Sequence, residues 1–156
     1  MYLSGHWRFP LGHDGGRALE PGMSCVRGVL DALPGEGDGA AAARLREDVL
    51  LVACELLANA CRHTAGPTRL DIHLSGGRIT VAVTDRAVAA PVLRPWRPRE
   101  PHGHGLHVVD RLAVDWGVRP APGGKTVWAT LPAPWPSPGP GRAGRAPEGD
   151  SGPGCG

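Results

Sequence analysis

Between residues 41 and 63 apolar side chains recur at Leu45, Val49, Val52, Leu56 and Ala60. Spacings of three and four place them on one stripe of a helix. Thr64-Ala65-Gly66-Pro67 stops it, glycine and then proline just past the end. Met23, Val26, Val29, Leu30 and Leu33 repeat the pattern and predict a helix within Arg17–Leu33. Pro21 marks its first turn, where the missing N–H costs nothing, and Pro34-Gly35-Glu36-Gly37-Asp38-Gly39 ends it. After Pro67 the period changes to two. Leu70, Ile72 and Leu74 share one strand face, Ile79, Val81 and Val83 another, and Ser75-Gly76-Gly77-Arg78 forms the hairpin turn between them. Asp85 continues the inward parity of Val81 and Val83, an odd place for a carboxylate.

Residues 86–103 carry Pro91, Pro95, Pro98 and Pro101, which excludes regular structure. Loops this long inside a compact domain are functional lids or disordered segments. Helical spacing returns over Gly105–Trp116 (Leu106, Val109, Leu112, Ala113, Trp116), with Gly117 as its stop. A second hairpin follows: Val118-Arg119-Pro120, a Gly123-Gly124 turn, then Thr126–Leu131. Near the start, Trp7-Arg8-Phe9-Pro10-Leu11 predicts a short strand that Pro10 would place at an edge. This order predicts an α/β fold, an α+β two-layer sandwich with its helices on one face of a mixed, largely antiparallel sheet.

Composition narrows the domain. The 156 residues suit one domain, and the 24 Gly and 17 Pro would suggest low complexity if spread evenly. Seven of each fall between Pro132 and Gly156. We therefore expect a folded domain over 1–131, best supported over 40–131, and a Pro/Gly-rich disordered tail over 132–156. With 17 Lys+Arg against 15 Asp+Glu, no general nucleic-acid surface is indicated. No apolar run approaches the roughly 18 residues of a membrane span, and the N-terminal residues lack a signal peptide's apolar stretch. Four Cys without CxxC spacing point to reduced thiols and a cytoplasmic protein.

Candidate chemistry is scattered. Glu55 and Asn59, four apart on the long helix, share one face; they read as a solvated polar face or as oxygen donors for a hard cation such as Mg²⁺. Asp85 is a turn-initiating Asp or an acceptor for an exocyclic amine such as that of adenine. Gly103-His104-Gly105-Leu106 is ordinary capping or a phosphate-side helix start. Gly124-Lys125-Thr126 fails as a P-loop, because the first glycine is missing at the required offset and a strand follows. His102, His104 and His107 have no further ligand at useful spacing, so metal chelation there is disfavoured.

The order of the pieces is more specific than any one of them. Glu55-Leu56-Leu57-Ala58-Asn59-Ala60 with His63, then Val83-Thr84-Asp85, Gly103-His104-Gly105-Leu106, Trp116-Gly117-Val118 and Gly124-Lys125-Thr126-Val127-Trp128 resemble the Bergerat-fold (GHKL) ATP-binding domain of histidine kinases, gyrase B and MutL. Within it the chain resembles the stand-alone anti-sigma-factor serine/threonine kinases of actinobacteria. The resemblance covers about residues 40–131 and implies ATP held between helices and sheet under a lid. It implies Asn59 as the Mg²⁺ ligand and Glu55 as the residue activating the attacking hydroxyl or water. Asp85 would accept the adenine amine with Thr126 assisting, directly or through water. Gly103, Gly105 and Leu106 would form the lid hinge and helix start, with His63 and His104 among the ATP-binding positions. The implied partners are a sigma factor and a small antagonist protein, in a possible homodimer without direct nucleic-acid or membrane contact. Two departures stand out: Arg86-Ala87-Val88 replaces the Gly-x-Gly that follows the Asp, and His104 stands where an Arg often lies. The first motivates a second reading, a non-catalytic ATP-binding or degenerate scaffold that sequesters its partner.

Overall fold

A computed structural model describes residues 4–12, 17–33, 39–87 and 105–135. Their elements are β1 (Gly5–Pro10), α1 (Leu19–Ala32), α2 (Gly39–His63), β2 (Pro67–Ser75), β3 (Arg78–Asp85), α3 (Gly105–Leu112), β4 (Asp115–Ala121) and β5 (Gly124–Pro132). The five strands form one sheet in the order β1-β2-β3-β5-β4. All four pairings are antiparallel, so the sheet is purely antiparallel and not mixed. The three helices complete an α/β sandwich.

The long helix forms as its stripe predicts: Leu45, Val49, Val52, Leu56, Leu57 and Ala60 are buried. Thr64 closes its end, donating from Oγ1 to the Ala60 carbonyl at 2.6 Å and accepting from Gly66 N at 2.9 Å. Gly66 takes φ +106°, which L side chains rarely adopt, and so turns the chain straight into β2. In α1 Pro21 occupies the third helical position, within the first turn. Gly22 lets this helix lie close on α2, since a Cβ there would come within 2.8 Å of Leu57 Cδ1.

Strand alternation divides the sheet into two faces. Leu70, Ile72, Leu74, Ile79, Val81, Val83, Val127, Ala129 and Leu131 are buried in the core beneath the helices. The opposite face carries Arg8, Arg69, Asp71, His73, Thr80, Trp128 and Arg119, which line an open groove of about 450 Å³. Gly76 and Gly77, both at positive φ, make the two-residue turn that matches the strands' twist.

Two expectations shift. The helix predicted to Trp116 ends at Leu112. Val114 N donates instead to the Thr130 carbonyl at 2.8 Å, and Asp115 enters the sheet opposite Thr130. Trp116 faces the core from β4 and donates from Nε1 to Asp110 Oδ1 at 2.9 Å. Its spacing from Leu112 suits a helix, but sheet pairing wins because it satisfies the backbone and still buries part of the indole. The second turn lies on Pro122 and Gly123, with Gly123 at φ +72°, so Gly124 already belongs to β5. Beyond β5 the described chain continues to Trp135, which packs partly buried against the core. Residues 136–156 lie outside the described residues.

Candidate functional site

Several elements end where Asp85 sits. The turn after α2 leads directly to Pro67, the register partner of Asp85 on β2. On the other side Asp85 pairs with Lys125, the second residue of β5. The last turns of α2 therefore lie at the Asp85 end of the sheet, and α2 packs on both β3 and β5. α3 packs on α2 in turn.

Asp85 keeps the inward parity that the sequence assigned and is only 3% exposed. Its Oδ1 accepts from Lys125 Nζ at 3.0 Å and from Ala87 N at 2.8 Å. No hydrogen bond to Oδ2 comes from the described residues. Lys125 is itself 6% exposed, so a full ion pair is held at the edge of the core. Gly124 makes this possible: a Cβ there would overlap the Asp85 carbonyl oxygen and approach Arg86 Cα to 2.7 Å.

Thr126 is buried but does not face Asp85. Its Oγ1 pairs with Thr84 Oγ1 at 2.7 Å, and Thr84 points to the opposite face from its neighbour Asp85. The residue of the Gly-Lys-Thr run that meets the carboxylate is Lys125, not the Thr126 expected from the resemblance. The alternation held the signal. Counting back from Leu131 through Ala129 and Val127 reaches Lys125 on the inner face, just as counting forward from Val81 reaches Asp85.

Glu55 and Asn59 are half-buried on α2, one turn apart. The Glu55 carboxylate lies 3.9 Å from Arg62 Nη2, a loose contact that leaves its oxygens accessible. The Asn59 side chain has no hydrogen-bond partner among the described residues. These oxygen donors fit a hard cation such as Mg²⁺, and Asp85 Oδ2 fits a purine amine. Cys54 and Cys61, on the same helix, are pushed up from the usual thiol range, chiefly by burial. The Glu55 charge adds to the shift at Cys54.

His63 is the exposed last residue of α2, Gly105 opens α3, and Leu106 is buried in its first turn. Gly103 and His104, also expected at the phosphate side, and residues 88–104 as a whole lie outside the described residues. So does most of the histidine cluster. Among the described residues no group of three or more His, Cys, Asp or Glu could hold a metal ion. Nor is any helix among them long and apolar enough to cross a membrane.

An antiparallel sheet of five strands covered on one face by three helices makes the domain a two-layer α/β sandwich. Within that class, the family model of the histidine kinase-like ATPase domain matches residues 22–131, and the chain belongs to that family. Among curated proteins no match is found. Family membership implies an ATP-binding regulatory role, typically with Mg²⁺.

Proposed function

We propose that this protein is a serine/threonine kinase of the anti-sigma-factor type, phosphorylating a small antagonist protein. The observation that supports this is the Glu55–Asn59 pair, half-buried one turn apart on α2 of an ATPase-family domain, the Asn59 amide lacking a partner among the described residues. Asn59 would hold Mg²⁺ on the ATP phosphates and Asp85 would accept the adenine amine. Glu55 would take the proton of the attacking serine hydroxyl. The new bond joins that oxygen to the γ-phosphorus as the bond to the β-phosphate oxygen breaks and ADP leaves. Positioning and charge stabilisation supply most of the rate.

Radiolabelled ATP with a candidate antagonist tests the assignment. We expect transfer to a serine, reduced by Glu55→Ala about a hundredfold or more, as for loss of a general base. Transfer that survives this substitution, or no transfer at all, removes the kinase claim. The loading of Asp85 Oδ1 by Lys125 and Ala87 favours a second reading, a scaffold that sequesters a sigma factor without catalysis. Calorimetry separates the two. Mg-ATP binding lost in Asn59→Ala supports the kinase; no detectable binding at millimolar ATP supports the scaffold.

A further inference from the structure

An ammonium has three N–H donors, and buried donors left without acceptors carry a substantial penalty. Lys125 Nζ has one partner among the described residues, Asp85 Oδ1 at 3.0 Å, although its side chain is only 7% exposed. Asp85, at 2% side-chain exposure, presents the mirror situation: both donors it receives converge on Oδ1, leaving Oδ2 open. Two strands thus bring together, on the helix-covered face, a donor and an acceptor of one ion pair that no other described residue satisfies. A ligand that satisfies both must carry a hydrogen-bond donor beside an acceptor.

Adenine has that pattern. Its exocyclic amine donates and is flanked by the ring nitrogens N1 and N7, both acceptors. Guanine places a carbonyl oxygen where adenine has the amine, which would set oxygen against oxygen at Oδ2. We infer that Lys125 is a second base-reading residue, donating to the ring nitrogen beside the amine while Asp85 Oδ2 accepts from the amine itself. This rests on the ATP-binding reading above and adds a donor that Thr126, turned to the other face, does not supply. Ala87 N is already spent on Oδ1, so its role is to orient the carboxylate.

The experiment is calorimetric binding of ATP, 1-deaza-ATP and 7-deaza-ATP, each with Mg²⁺, to the full chain and to Lys125→Met and Lys125→Arg. Each deaza analogue replaces one ring nitrogen with C–H and keeps the amine. One of the two should bind the wild-type protein about ten- to hundredfold more weakly than ATP, the worth of a hydrogen bond from a charged donor. That penalty should shrink to within about threefold in Lys125→Met, because the lost partner no longer matters. If circular dichroism shows that the Met variant does not fold, Lys125→Arg decides. It keeps the charge on Asp85 but moves the donors, so the ratio of analogue to ATP affinity must change more than threefold. Analogues that bind the wild type as well as ATP does, or a penalty unchanged in the folded variant, overturn the inference while leaving ATP binding intact. A wild-type protein that binds no ATP overturns the functional reading itself.

Discussion

Asp71 and Asp85 are buried carboxylates on neighbouring strands, one on each face of the sheet, and they are satisfied in opposite ways. Asp71 is saturated. Its Oδ1 takes Arg8 Nε at 2.8 Å and lies 3.0 Å from His6 Nε2, and its Oδ2 takes Arg69 Nε at 2.7 Å. Burial alone would raise its pKa, but the three partners outweigh it and hold the carboxyl below the usual range. Two of them, His6 and Arg8, come from β1, so Asp71 clamps the edge strand to its neighbour. Among the described residues Asp85 has one ammonium and one backbone N–H, both on a single oxygen. The difference separates a carboxylate that holds the fold from one with an acceptor to spare.

The largest effect should come from breaking the less complete arrangement. Lys125→Met strands a buried charge, a loss of about 3–5 kcal/mol where the partner stays ionised. Urea unfolding of the single variant and of the double variant with Asp85→Asn checks this, because the double variant should recover most of the loss. Equal stability of the two variants would mean that the ion pair is not what the fold relies on. Next comes Gly124→Ala. Its new methyl meets the Asp85 backbone, which cannot rotate away as a side chain can, so we expect about 3 kcal/mol or more. A thermal midpoint close to wild type would show that β5 can pull back from the site without penalty.

The smallest of the three concerns Asp71, whose partners are exposed enough for water to replace them in part. Asp71→Asn should cost about 1–3 kcal/mol at neutral pH. The pH dependence carries a definite sign. A carboxyl whose folded pKa lies below its unfolded value of about 3.9 contributes stability that is present above that value and lost as pH falls through the folded pKa. Urea midpoints from pH 6 down to pH 2 should therefore show a shallower acid decline in Asp71→Asn than in wild type. Parallel declines would assign the acid sensitivity to other groups.

Much of this was legible in the chain itself, but unevenly. The α2 stripe, the Gly76-Gly77 turn and the inward parity of Asp85 are local periodicities, and burial of an apolar face enforces them wherever the element packs. The end of α3 was not legible. The same residues that extend a helical stripe to Trp116 also fit a strand, and the competitor for Val114 N, the Thr130 carbonyl, lies sixteen residues further on. Glu55 and Asn59 were visible as a pair because four residues bring side chains together on any helix. Whether that face is wet or half-covered depended on what packed against it.

The sequence by itself determined which side chains each helix and strand turns inward, since backbone geometry sets those periods before any tertiary contact forms. Only the tertiary structure decided which inward residues meet. Asp85 and Lys125, forty positions apart, become partners through the β3–β5 register, while Thr126, one residue on, is turned by the pleat to Thr84. A one-residue step flips a side chain across the sheet, so the identity of the group beside the carboxylate follows from strand pairing and not from the motif that contains it.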